Sequence, residues 1–168
     1  MNEIDKEEFC ERVRACENAM YALARSIVKN EEDACDAVAE AILRAYDKLD
    51  TLTNRRAFKT WILRIVHNAA VDILRKQNNL VEVEDIELYA DGMAAEEPMD
   101  TASKLLLRDA VAHLNPPYRT VVTLFYYEEL PTAKIAQITQ TSVVTVRKQL
   151  HRARKQLKEL LDREDFRR

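Results

Sequence analysis

A single glycine, Gly92, and four prolines in 168 residues leave almost nothing to punctuate sheets or tight hairpins. Gly-rich phosphate cradles and strained nucleophile elbows both need glycine, so the scarcity excludes them and predicts an all-helical chain. Cysteine is sparse too: Cys10, Cys16 and Cys35 show no paired CxxC spacing, and an odd number makes no closed disulfide framework. The N-terminus MNEIDKEEF does not read as a secretory segment, so these three are expected to be reduced cytoplasmic thiols packed as small hydrophobes. No Cys/His spacing supports a zinc site, even with His67 included, and neither a metal nor a cofactor is expected. No apolar run approaches the length of a membrane span, so no direct membrane insertion is expected.

Acidic and basic residues nearly balance, with a formal net charge of −3, yet they are segregated along the chain. Between Asn54 and Lys76 six basic residues face one acid, Asp72, whereas from Gln77 to Ser103 eight acids occur with no base. From Ser142 through Lys158 there is no acid at all. Two basic blocks around an anionic one predict nucleic-acid contacts in two places. The middle segment also holds the only glycine and shows no sustained helical period, which reads as a flexible acidic linker.

Apolar periodicity supplies the helices. Phe9, Val13, Cys16, Met20, Leu23 and Ile27 alternate spacings of four and three, the mark of an amphipathic first helix. Asn30 followed by Glu31, Glu32 and Asp33 caps a second helix running to about Leu49, with Ala34, Val38, Ile42, Ala45, Tyr46 and Leu49 inward. A third helix turns Phe58, Trp61, Ile62, Ile65, Val66, Ala69 and Ile73 inward. Trp61 sits in that stripe, which favours core packing over a stacking platform. The opposite face carries Arg64, His67, Asn68, Asp72, Arg75 and Lys76, with Asp72 and Lys76 spaced as a helix-supporting pair.

The stretch DACDAVAEAILRAYDKLDTL followed by RAFKTWILRIVHNAAVDILRKQ resembles the second region of bacterial sigma factors, in their extracytoplasmic-function (ECF) subgroup. The features that carry the likeness are Ala34-Cys35-Asp36, Phe58 to Trp61-Ile62, the ridge Arg64, Asn68, Asp72, and the pair Arg75-Lys76. Ala39 departs from the Gln that usually precedes the acid at Glu40. The resemblance implies that Asp36, Glu40 and Arg44 dock on core RNA polymerase. It further implies that the loop and third helix, through Arg55, Arg56, Arg64, Asn68, Arg75 and Lys76, take the opened minus-ten element. Capturing flipped bases and a cation-lined strand backbone offsets the unstacking cost of melting.

In the second half, Asp100, Thr101 or Ser103 can cap a helix through Leu114, and Pro116-Pro117 restarts the chain. Val121, Val122, Leu124 and Phe125 then face inward, and Leu130-Pro131 marks another restart. Thr132 to Thr139 forms a short helix with Ile135, Ala136 and Ile138 inward. Thr141 to Leu161 forms a long one with Val146, Leu150, Ala153, Leu157 and Leu160 inward and Ser142 as its cap. Short helix, turn, long basic helix is helix-turn-helix order. KIAQITQTSVVTVRKQLHRARKQL resembles the fourth region of the same subgroup, with HLNPPYRTVVTLFYYEEL as the preceding helix. Here Gln140 stands where the turn commonly has Gly, Pro131 replaces a capping Ser, and Gln149 replaces a frequent Arg, removing a cation from the helix flank. The resemblance implies that Arg147, Lys148, His151 and Arg152 meet the minus-thirty-five element, with Arg154 and Lys155 as phosphate partners.

These readings predict an all-α protein of two small helical domains joined by a flexible acidic linker. Residues 1–76 form region 2, 77–103 the linker and 104–168 a helix-turn-helix region 4. The expected role is an alternative sigma factor, cytoplasmic and not an enzyme. Its expected partners are core RNA polymerase, promoter DNA and an anti-sigma factor, with no small-molecule substrate. The alternative is a stand-alone helix-turn-helix regulator whose N-terminal half is an interaction domain. An enzyme using His67 or His113 finds little support, because the histidines are scattered.

Overall fold

A computed structural model of the chain describes residues 3–78 and 101–165. The described residues form helices and connecting turns without a strand. Seven α-helices follow in order: α1 (Lys6–Ile27), α2 (Glu31–Asp47), α3 (Phe58–Asn78), α4 (Thr101–Ala112), α5 (Tyr118–Val122), α6 (Thr132–Thr139) and α7 (Val143–Asp165). Short 3-10 turns at Leu49–Thr51 and Arg55–Ala57 join α2 to α3, and a π-helical segment, Thr123–Tyr127, extends α5. The linker expected over 77–103 falls mostly outside the described residues; residues 77–78 close α3 and 101–103 open α4.

Helices α1, α2 and α3 pack into one unit. Caps fix the starts: the Asp5 carboxylate accepts from the Glu8 amide at 2.8 Å, and the Asn30 side chain accepts from the Asp33 amide at 2.8 Å. The acids that follow each cap sit on the positive end of the helix dipole. Ala34, Ala37, Ala41 and Ala45 are all buried, so one side of α2 is a row of small side chains that brings its backbone close to its neighbours. Phe9, Phe58 and Tyr46 meet edge to face around one end of the unit, with ring centroids 5.5 to 6.1 Å apart.

The second unit comprises α4 to α7. Val146, Leu150, Ala153 and Leu157 of α7 are buried against α4, α5 and α6. Each leucine removed from water on that stripe contributes about 1.5–3 kcal/mol, so the stripe fixes α7 on its unit. The cap of α7 is Ser142, whose hydroxyl accepts from the Thr145 amide at 3.0 Å. Pro131 opens α6 with no side-chain cap bond. Gln140 closes it at φ 58° and ψ 43°, a left-handed turn held by a non-glycine residue. Glu129, at φ 53°, is a second left-handed residue just after the π-helical segment.

The two units touch along two seams, α1 with α5 and α3 with α6. Ser26 Oγ lies 3.2 Å from Thr120 Oγ1, both side chains being buried. Arg119 Nε donates to the Ser26 carbonyl at 2.8 Å and Arg119 Nη1 to the Leu114 carbonyl at 3.2 Å. These carbonyls lie at or just past the C-terminal ends of α1 and α4, where helices leave acceptors unpaired. One guanidinium thus ties both ends. Burial, and next to it the charge of Arg25, lower the Arg119 pKa.

Several side chains depart from the sequence expectations. Tyr46 is 50% exposed, not inward: its ring rests edge-on against Phe9 at the rim of the core. The second helix stops at Asp47, and Leu49 belongs to a 3-10 turn. Cys10 and Cys35 are exposed and only Cys16 is buried, so two of the three thiols are surface groups and not packed hydrophobes. Asp72 is engaged by Arg44 of α2 at 3.2 Å, tying α2 to α3. Gln149 is 4% exposed and lies inside the unit, not on a cationic flank.

Candidate polymerase and nucleic-acid surfaces

Three surfaces collect the sequence-predicted residues. The first is the outer face of α2. Asp36, Glu40, Leu43 and Asp47 recur at spacings of four, three and four, so they line one face, with Arg44 beside them. Arg44 Nε binds Glu40 at 3.0 Å while its Nη1 binds Asp72 at 3.2 Å, and the hydrogen bond to Glu40 is the main cause of its raised pKa. Leu43 is 64% exposed. A leucine and a tyrosine both turned to solvent among acids form an apolar centre with a charged rim, the anatomy of a protein-docking patch. Sequence reasoning missed Leu43 and turned Tyr46 inward, although Leu43 sits three residues after Glu40 on the face already assigned.

The second surface is the loop before α3 and the outer ridge of α3. Asn54 caps the 3-10 turn by accepting from the Arg56 amide at 3.0 Å, which leaves the Arg56 side chain exposed. Arg55 reaches back to the N-terminal segment: Nη2 donates to the Glu3 carbonyl at 2.6 Å and pairs with Glu8 at 3.3 Å, so it anchors the loop. Arg75 and Lys76 are exposed in the last turns of α3, where cations complement the dipole. Asn68 is half-buried and hydrogen-bonds the His67 side chain. His67 is half-buried with its Nδ1 enclosed and unpartnered, and its pKa falls from 6.5 to about 4, chiefly through loss of solvation with a smaller push from Arg75. Trp61 is half-buried with its ring 5.7 Å from that of Phe58, consistent with core packing.

Arg64, the first residue of the ridge, reaches the second unit. With the Gln140 amide turned to present its oxygen, Arg64 Nε and Nη2 donate to it at 2.8 and 3.1 Å. Lys59, one turn earlier, lies 3.8 Å from Glu128. Arg64 of the α3 ridge and Gln140 of the helix-turn-helix turn are therefore in contact in this arrangement.

The third surface is the front of α7. Val144, Arg147, Lys148, His151 and Lys155 share the side opposite the buried stripe. Arg147 and Lys155 are exposed, Lys148 and His151 half-buried, and Val144 is 56% exposed at the helix start. A front that mixes cations with one exposed β-branched side chain can meet phosphates, base acceptors and a thymine methyl together. Arg152 and Arg154 turn back to their own unit. Arg152 Nη1 donates to Tyr118 Oη at 3.3 Å; Arg154 Nε donates to Tyr126 Oη at 2.7 Å and stacks over the Phe125 and Tyr126 rings. His113 accompanies the end of α4, its Nδ1 2.7 Å from the Asp109 carbonyl.

Among the described residues, no three His, Cys, Asp or Glu side chains are grouped as a metal site. No helix among them is long and apolar enough to cross a membrane.

Comparison with known proteins identifies a family for each half of the chain. Residues 12–80 match the sigma-70 region 2 family and residues 104–157 match sigma-70 region 4. RNA polymerase sigma factor SigV of Bacillus subtilis is 35% identical over 148 residues, covering 87% of this chain and 86% of that protein. An RNA polymerase sigma-E factor of Streptomyces coelicolor is 32% identical over 164 residues, covering 95% of this chain and 89% of that protein. The ECF sigma factor SigW of B. subtilis is 29% identical, covering 94% of this chain and 90% of its own length. Among solved structures, the sigma factor RpoE of Bartonella quintana, in complex with the anti-sigma factor NepR, has the same fold. It gives a TM-score of 0.69 at 22% identity over 93% of this chain and 98% of that one. The region 2 match across α1 to α3 removes the stand-alone regulator alternative, because that half is not a generic interaction domain. The chain belongs to the sigma-70 family, in its extracytoplasmic-function group, and is a transcription-initiation specificity factor and not an enzyme.

Proposed function

We propose that this chain acts in the cytoplasm as the promoter-reading subunit of RNA polymerase, with the three surfaces dividing the work. Residues 1–76 form the core-binding and strand-opening domain, 77–103 the connector, and 104–168 the duplex-reading domain. The outer face of α2, with Asp36, Glu40, Arg44, Leu43 and Tyr46, docks on core polymerase. Arg56, Arg64, Asn68, Arg75 and Lys76 hold the opened minus-ten strand, and Arg55 fixes the loop that presents Arg56. Arg147, Lys148 and His151 face the minus-thirty-five bases and Lys155 the phosphates. Arg152 and Arg154 lie at the edge of that contact, positioned by Tyr118 and Tyr126. An anti-sigma protein that masks these surfaces is the expected regulator; the structurally similar RpoE is solved in complex with the anti-sigma factor NepR.

The observation that carries the reading is the outer face of α2. Leu43 is 64% exposed beside a charged array, a costly way to use a leucine unless another protein covers it. Arg64, one of the strand-holding residues, is meanwhile tied to Gln140 of the other unit. By their names the two promoter elements lie about 25 base pairs apart, roughly 85 Å of duplex at about 3.4 Å per pair. Units joined through Arg64 and Gln140 cannot reach both, so promoter binding separates them.

Gel filtration with core polymerase tests the assignment. The chain is expected to co-elute with core, and Leu43→Glu to abolish co-elution while the helical circular dichroism stays unchanged. A chain that fails to bind core yet shifts duplex DNA unaided overturns the proposal.

A further inference from the structure

Helix α7 begins with an apolar side chain that packing leaves outside. Val144, its second residue, is 56% exposed, while Val143 is half-buried against the core and Val146 is fully buried. The cap engages the remaining side chain of that turn: Ser142 Oγ accepts from the Thr145 amide at 3.0 Å and donates to Thr145 Oγ1 at 2.9 Å. Single exposed apolar residues are ordinary on protein surfaces, so exposure alone assigns nothing. What marks Val144 is its register. Arg147, Lys148 and His151 follow it at three, four and seven residues, so the valine opens the same helical face that carries the cations.

The chemistry of that turn also departs from that of the first two helices. After their caps α1 places Glu7 and Glu8, and α2 places Glu31, Glu32 and Asp33, where the dipole favours carboxylates. The first turn of α7 holds no acid. It gives up that stabilisation, and a turn without carboxylates can approach phosphates without repelling them. A valine in a helix keeps one strongly preferred rotamer, so its methyls are held in one direction before any contact is made.

Among the base edges of the major groove, thymine alone carries a methyl group, whereas cytosine offers an amino donor that valine cannot satisfy. An α-helix rises about 1.5 Å per residue, which sets Arg147 about 4.5 Å and Lys148 about 6 Å beyond Val144 along the axis. Base pairs stack about 3.4 Å apart, so a helix lying along the groove brings these cations to pairs about one or two steps from the one under Val144. Arginine and lysine match the O6 and N7 acceptors of guanine there. We propose that Val144 is a specificity-determining residue whose methyls pack on the C5-methyl of one thymine in the minus-thirty-five element. That thymine lies about one or two base pairs from a guanine taken by Arg147 or Lys148. The proposal rests on α7 as the duplex-reading helix and adds which base its first turn selects.

Holoenzyme assembled from the full chain and core polymerase first selects promoters from a randomised duplex library. The selected upstream element is expected to contain a thymine with a guanine within about two base pairs on either strand. On the best selected duplex, each thymine of that element is then replaced in turn by deoxyuridine, which lacks only the methyl group. One replacement should weaken holoenzyme binding about fourfold, the effect of one methyl group no longer buried. Val144→Ala should bind the thymine duplex about fourfold more weakly and no longer distinguish the two bases at that position, whereas Val144→Ile should keep the distinction. Selection of no upstream element overturns the duplex-reading assignment of α7, and the role of the valine with it. A selected element without thymine, or one whose thymines all tolerate deoxyuridine, overturns the role of Val144 alone. So does a Val144→Ala variant that discriminates as the parent does.

Discussion

His67 makes the stability of the first unit depend on pH. Its ring is half-buried, its enclosed Nδ1 has no partner, and its pKa is lowered from 6.5 to about 4. In the unfolded chain the ring takes a proton near pH 6.5; in the folded chain it resists until about pH 4. Between those values the unfolded state binds more protons, so stability is fully present above pH 6.5 and is lost as pH falls toward 4. At about pH 4.5 unfolded-state protonation is worth roughly 2.7 kcal/mol and folded-state protonation roughly 0.2, a net loss of about 2.5 kcal/mol. Carboxylates titrate over the same range, so the comparison is with His67→Leu, which removes this group alone. Urea unfolding from about pH 7.5 to about pH 4.5 should show the parent losing about 2.5 kcal/mol relative to the variant. A difference that stays flat with pH refutes the neutral, poorly solvated imidazole.

Two further predictions test the second unit. Gln149 is 4% exposed with its Oε1 unpartnered, so Gln149→Leu should raise the unfolding free energy by about 1 kcal/mol in denaturant melts; a loss of stability would mean the amide is satisfied. Gln140 at φ 58° carries left-handed strain, and Gln140→Gly should relieve about 1 kcal/mol of it while removing the acceptor used by Arg64. Small-angle scattering should then find Gln140→Gly more expanded than the parent, and an unchanged radius of gyration would show that the Arg64 contact does not hold the units together.

The strongly periodic helices were legible from sequence because one face of each is buried. The stripes of α1 and α7 lie inward as their four-three spacings require. Helix α3 was only half legible. Leu63, His67 and Ala70 also repeat at four and three, and on this second stripe Leu63 and Ala70 are buried and His67 half-buried, because α3 packs against α1, α2 and α6. Reading one stripe per helix therefore placed His67 on a solvent face. Gln149 was misplaced for a related reason: it lies three residues after Val146 and four before Ala153, so it falls at the edge of the buried stripe. Family likeness assigned a cation's role to a position that packing makes internal. The clamp of Arg154 on Phe125 and Tyr126 follows from tertiary contact between α7 and the π-helical segment, which no local spacing encodes.

The central claim, that α7 chooses the promoter while α2 holds polymerase, is tested most directly by run-off transcription with core polymerase across a promoter library. The parent chain should direct initiation from a defined subset of promoters. Arg147→Glu with Lys148→Glu should abolish that transcription while co-elution with core is retained. Undiminished transcription by the double variant from the same promoters would contradict the account.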